Sequence, residues 1–173
     1  MVARLCLRCL ATVVASILMI GCLCGTCEEA TKNKEIVLAS MEAMNRGELD
    51  ALDGYYAADY VRHCPATPDV EVTNLEAFKA MVTGWMEAFP DAEMTVNHLI
   101  AEDNMVAFWG AFSGTHDGPM GPYPATGKRL ESQFAGMHRF ADGMIVETWV
   151  TWDSLSDLTQ LGFYPPEPVE AVE

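Results

Sequence analysis

Val106-Ala107-Phe108-Trp109-Gly110-Ala111-Phe112-Ser113-Gly114-Thr115 is the stretch on which the fold turns. Phe108, Gly110, Phe112 and Gly114 fall on one side of it, and Ala107, Trp109, Ala111 and Ser113 on the other. A period of two sustained over ten residues predicts a long β-strand. Upstream, Met94, Val96, His98 and Ile100 alternate with Thr95, Asn97 and Leu99. Downstream, a loop rich in glycine and proline, Gly118 to Gly127, leads into a strand from Arg129 to Phe140. The turn Ala141-Asp142-Gly143 then joins that strand to another, Ile145 to Trp152. At least four strands thus follow one another as an antiparallel meander. Gly110, Gly114 and Gly136 interrupt strand interiors, where glycine marks bulges or bends. A sheet bent there would have a concave side able to hold a ligand.

Ahead of Pro90 the period is helical. Asn33 is placed to cap a helix with Ile36, Val37, Met41 and Met44 on one side, ending at Asn45-Arg46-Gly47. Glu48 to Leu52 starts a second short helix that leads into Tyr55, Tyr56 and Tyr60. Asn74 caps a third, in which Phe78, Met81, Val82, Trp85 and Phe89 recur at intervals of three and four. After the strands, Ser154 or Ser156 caps a last short helix that Gly162 ends. The expected fold is α+β: a curved antiparallel sheet packed against three N-terminal helices.

The 173 residues suit one domain with one core. Residues 1–27 read separately as an export signal, because Arg4 and Arg8 are their only charged side chains and the run Cys9 to Leu23 is apolar. Cys22 after Met19-Ile20-Gly21 resembles the lipid-attachment cysteine of a bacterial lipoprotein; cleavage after Gly25 is the alternative. Either leads outside the cytoplasm, to a periplasmic or extracellular protein. Residues 28–32 read as a tether, 33–163 as the domain, and 164–173 as a disordered acidic tail. Five of the six cysteines lie in the leader, so Cys64 alone belongs to the domain, without a disulfide partner. The net charge is −15, and from Glu28 onward 25 acidic side chains face 8 basic ones. Such a surface repels phosphate backbones, which argues against nucleic acid as a partner.

Four ordered pieces then resemble one family. They are Gly114-Thr115-His116-Asp117-Gly118; Gly121-x-x-Pro124-x-Thr126-Gly127-Lys128; Arg139-Phe140-x-Asp142-Gly143-x-Ile145-x-Glu147-x-Trp149-x-x-x-Asp153; and Gln160-Leu161-Gly162. Together they resemble the SnoaL-like polyketide cyclases, or ester cyclases, of the nuclear transport factor 2-like superfamily. The resemblance implies a cone-shaped, cystatin-like barrel, often paired as a homodimer through its outer sheet face. It also implies an intramolecular aldol closure of a hydrophobic carbonyl compound, without cofactor or metal. In that reading Asp153, near the end of the last strand, is the general acid and base, and His138 on the preceding strand assists it.

The residues themselves leave several roles open. Asp153 can serve catalysis or can cap the helix that follows, through the amides near Ser156. His138 can donate to an enolate or can be a buried, hydrogen-bonded histidine. His116 can line the rim or fasten the Gly118 to Gly127 loop. His63 and Tyr60, with Tyr56, form a polar cluster that could close the pocket from the helical side, and Trp85, Trp109 and Trp149 are its candidate aromatic walls. Parity does not say which face of the last strand is concave. The alternatives to an enzyme of cyclase type are a hydrolase or hydratase on the same scaffold and a binding protein for a small apolar ligand.

Overall fold

The computed structural model describes residues 28–165; the leader with Cys22, and the tail from residue 166, lie outside the described residues. Helix α1 covers 28–45 and buries Asn33, Val37, Ser40, Met41 and Met44, a stripe at intervals of four, three, one and three. The tether expected at 28–32 is therefore helical, and Asn33 lies within the buried stripe rather than at a cap. Asn45 ends α1 by a reciprocal pair of bonds to Met94: its Nδ2 donates to the Met94 carbonyl at 2.8 Å and its Oδ1 accepts from the Met94 amide at 2.9 Å.

A short 3-10 helix, Leu49–Gly54, then leads into strand β1, Tyr56–His63. Helix α2, Leu75–Ala88, follows, with Asn74 Oδ1 accepting from the Ala77 amide at 2.8 Å as expected of its cap. Strands β2 (Glu93–Glu102), β3 (Met105–Thr115), β4 (Arg129–Ala141) and β5 (Met144–Trp152) come next, and helix α3 (Ser154–Leu161) closes the described chain. The expected meander is present. Its β4–β5 turn puts Asp142 and Gly143 at φ +51° and +77°, the left-handed geometry that a two-residue hairpin needs.

Two expectations about the sheet are overturned. Three helices were expected ahead of a purely antiparallel sheet; instead β1 comes before α2 and pairs in parallel with β5, from Val61 opposite Glu147 to His63 opposite Trp149. The sheet is mixed. Its order is β1-β5-β4-β3-β2, with β1 and β2 as edges that do not meet, so it is neither closed nor strongly curled and forms no cone or barrel. The physical reason for the misreading is the interval of four between Tyr56 and Tyr60. Four residues are one helical turn and also an even number, so the same spacing puts both rings on one side of a strand.

The strand glycines act differently from the expectation too. The β3–β4 ladder runs unbroken from Met105 opposite Arg139 to Thr115 opposite Arg129, past all three of them. Irregularities fall elsewhere, between Val96 and His98 and between Arg139 and Phe140. A Cβ at Gly136 would run into the Trp149 carbonyl and the Phe108 ring, and one at Gly110 into the Phe134 ring and the Thr95 carbonyl. These glycines make room for neighbouring aromatic rings.

Helices α1, α2 and α3 cover one face of the sheet. Val37, Leu52, Tyr56, Tyr60, Phe78, Val106 and Ile145 form the larger core cluster, and Phe89, Phe112, Leu130 and Leu161 a second one. Between helices and sheet a cavity remains.

Candidate active site

The cavity has a volume of about 140 Å³. For scale, a dry cavity of roughly 150 Å³ admits benzene. Its sheet wall comes from alternate residues of the strands: Tyr56, Tyr60 and Arg62 of β1; Phe108 and Phe112 of β3; Leu130, Ser132, Phe134 and His138 of β4; Thr148, Val150 and Trp152 of β5. Met41 and Met44 of α1 and Phe78, Met81, Val82 and Trp85 of α2 form the opposite wall, and Asp157 reaches in from the first turn of α3. The face of the C-terminal half of β5 left open by parity is thereby assigned: Thr148, Val150 and Trp152 look inward, and Glu147, Trp149 and Thr151 look out.

His138 is 4% exposed and stacks on Phe108 with ring centroids 4.7 Å apart. Its Nδ1 lies 2.8 Å from Thr148 Oγ1. Burial among rings pushes the imidazole down to about 3, so it is neutral at physiological pH. Tyr60, whose phenol burial raises far above its usual range, hydrogen-bonds Thr148 as well. The Thr148 hydroxyl so joins the phenol to Nδ1, and the neutral ring carries its one hydrogen on either Nδ1 or Nε2. Tyr56, also buried, is pushed up to about 12, chiefly by desolvation and against a hydrogen bond with Ser40.

Asp157 is 9% exposed, and it is the one carboxylate that lines the cavity among the described residues. Desolvation raises its pKa above the usual carboxylate value, a hydrogen bond with Ser132 works the other way, and the Asp153 charge adds to the rise. Its Oδ1 is buried without a hydrogen-bond partner.

Of the site residues singled out from sequence, His138, Tyr60 with its neighbour Tyr56, and Trp85 meet at this cavity. The others do not line it. Asp153 is exposed and caps α3, its Oδ1 accepting from the Ser156 amide at 3.1 Å; the cap expected from Ser154 or Ser156 is this aspartate. His63 lies on the outer face, stacked on Trp149 at 5.3 Å with its Nε2 2.8 Å from Glu147 Oε1. Trp109 is 45% exposed on that same face. His116 is fully buried against Phe89 and holds the following loop, with Nδ1 3.1 Å from Thr126 Oγ1 and its backbone bonded to Thr126, Gly127 and Lys128.

The interval of fifteen between His138 and Asp153 does not make them neighbours, and hairpin register shows why. Thr148 is opposite His138, whereas Trp152 is opposite Phe134. Four residues of strand separate the two places, roughly 13 Å. Hairpin arithmetic from Asp142-Gly143 gives Glu147 opposite His138; the irregularity between Arg139 and Phe140 moves the pairing on by one, to Thr148, and nothing in the sequence signals it. For Asp157 there was no signal either, because a helix after the last strand can dock at many angles.

The sequence profile of the SnoaL-like polyketide cyclases matches residues 34–161. This chain belongs to the SnoaL-like polyketide cyclase family. It is 29% identical over 136 residues to the aklanonic acid methyl ester cyclase DnrD of Streptomyces peucetius, a match spanning 78% of this chain and 93% of that one. Among crystal structures, IdmH of Streptomyces antibioticus, a proposed polyketide cyclase, is 30% identical with a TM-score of 0.67 over 75% of this chain and 98% of its own. AclR of Streptomyces galilaeus, a proposed hydroxylase, is 28% identical with a TM-score of 0.69 over 79% and 99%.

Proposed function

We propose that the protein is an acid–base enzyme of the aldol-cyclase type that acts on a small hydrophobic carbonyl compound, with Asp157, rather than Asp153, as the proton-transferring carboxylate. One observation carries this reading: a desolvated carboxyl group with an unpartnered oxygen opens into a mostly aromatic and aliphatic cavity. The relative DnrD is an ester cyclase, which fits a carbonyl substrate.

The steps balance without a cofactor. Asp157 takes a proton from a carbon flanked by two carbonyls, and the electron pair moves onto the carbonyl oxygen as an enolate. The enolate carbon attacks a third carbonyl, more distant in the same molecule, forming the carbon–carbon bond that closes the ring. The resulting alkoxide takes the proton back from Asp157. A carboxyl group whose pKa is raised toward neutrality suits both transfers. His138 is neutral and lies on the wall. Ser132, which hydrogen-bonds Asp157, lies six residues from it on β4, on the order of 20 Å of extended strand. A ligand of the size this cavity admits does not bridge that distance, so we give His138 no share in the reacting proton and leave it as part of the far wall.

The test uses methyl benzoylacetate, a one-ring β-ketoester, and follows by NMR the exchange of its acidic methylene for deuterium. Wild type is expected to accelerate exchange, and Asp157→Asn to lose roughly 10²-fold or more of that acceleration. An unimpaired Asp157→Asn variant refutes the assignment. Binding of the ester by wild type with no acceleration favours the non-catalytic reading, which the carboxylate-free inward face of β5 (Thr148, Val150, Trp152) supports. Export through residues 1–27 and pairing into a homodimer through the outer face, where Ile100, Trp109 and Met137 are exposed, belong to the same proposal. A mass of one chain by sedimentation at micromolar concentration would remove the homodimer.

A further inference from the structure

Arg62 is the second charged side chain on the cavity wall, and no step above uses it. It sits on β1 opposite Thr148, and its guanidinium carbon lies 5.7 Å from the centre of the Trp152 ring. Its Nη1 is buried with no hydrogen-bond partner. Scarcity of carboxylates does not explain this, because the chain has 25 acidic side chains against 10 basic ones. Arg46, Lys79, Arg129 and Arg139 all form ion pairs, whereas Arg62 has none among the described residues, not even with Asp157 of the same cavity. Its charge is felt instead at the Tyr60 hydroxyl.

Withdrawing a guanidinium from water without a counter-charge is costly, and stacking on an indole offsets only part of that cost. A planar oxyanion is the ligand group that would supply the missing charge and the missing acceptors together, through two parallel N–H···O bonds. Most of the rest of the wall, Phe108, Phe134 and Trp152 among it, suits an apolar body, and no other cation among the described residues lines it. We propose that Arg62 is an anion-binding residue of this cavity, and that the protein's ligand is a small ring-bearing compound with a carboxylate or an enolised 1,3-dicarbonyl facing that side chain. This names the substrate class of the site proposed above and rests on that pocket.

The experiment titrates benzoate and its uncharged isostere benzamide into wild type, Arg62→Met and Arg62→Lys, reading the fluorescence of Trp152 and Trp85. Wild type is expected to bind benzoate at least about 10-fold more tightly than benzamide, a difference that one charge-assisted pair supplies. Arg62→Met should lose the preference while still binding benzamide, and Arg62→Lys should keep part of it. Equal binding of the two probes by wild type overturns the assignment of Arg62 and leaves the pocket standing. So does an undiminished preference in Arg62→Met, which would place the anion elsewhere. Failure of wild type to bind either probe overturns the pocket reading itself. Should Arg62→Met not fold, the wild-type preference and its partial survival in Arg62→Lys decide the matter. Acetylacetone against cyclohexanone then separates an enolate from a carboxylate as the source of the charge.

Discussion

The two faces of this sheet carry similar residue types and treat them in opposite ways. On the outer face, His63 and Arg139 both reach Glu147 at 2.8 Å, and the pair of bonds holds that carboxyl below its usual range. Trp149 stacks there on His63. Those groups keep water on one side, so each bond replaces hydration it could regain cheaply. On the inner face, Asp157 and His138 are buried and Arg62 is half-buried with its Nη1 shut off from water, and Asp157 and Arg62 retain atoms without partners. A polar group kept partnerless in a dry site marks where a ligand would complete the structure; a satisfied group at the surface does not.

Three perturbations sharpen or break that contrast, and the largest concerns His138. Its folded-state pKa is depressed from 6.5 to about 3, so the unfolded chain binds the proton more readily across that interval. The stability it contributes is present above 6.5 and is lost as the pH falls toward 3, at on the order of 1 kcal/mol per pH unit. Denaturant titrations of wild type and His138→Gln at pH 7 and pH 5 should show wild type losing more on acidification. Equal losses would mean that the imidazole is not dry.

Asp157 gives the opposite sign. Its folded-state pKa is raised, so its contribution is intact below the ordinary value of 3.8 and is lost as pH rises through the folded-state pKa. Asp157→Asn, expected to be inactive, should therefore melt higher than wild type at pH 7, with the gap closing below pH 4. A variant that melts lower at pH 7 would show the carboxylate to be a structural element. The smallest effect belongs to Asp153, whose carboxylate is exposed at the α3 cap. Asp153→Ala should cost about 1 kcal/mol of stability and leave deuterium exchange intact. Lost exchange in a folded Asp153→Ala protein would return this residue to the chemistry and break the separation between surface and cavity.

Much of the fold was legible. The four meander strands, the Asp142-Gly143 turn, the Asn74 cap and the Phe78 to Trp85 stripe all rest on local rules: alternation, turn dihedrals, a polar cap and helical spacing. His138 and Tyr60 were legible as residues of the cavity wall because large polar side chains among apolar ones of the same parity are visible in one dimension. The pairing of β1 with β5 was not, since about 90 residues separate Arg62 from Thr148 and nothing in either segment names the other. Nor was the exchange of Asp153 for Asp157 as the inward carboxylate. The two lie one helical turn apart, and only the docking of α3 on β4, fixed by Gln160 bonding both ways to the Glu131 backbone at 2.9 and 3.1 Å, decides which turns in.

What the sequence by itself determined is the four meander strands, the helices and the family, because these reside in short-range patterns and ordered motifs; β1 was not among them. Tertiary structure alone decided that the sheet is mixed and open, which of its faces is dry, and which acid, base and guanidinium share that dry space. Burial is a property of segments brought together from distant parts of the chain, and it is burial that separates a carboxyl group whose pKa is raised from one that stays exposed and caps a helix.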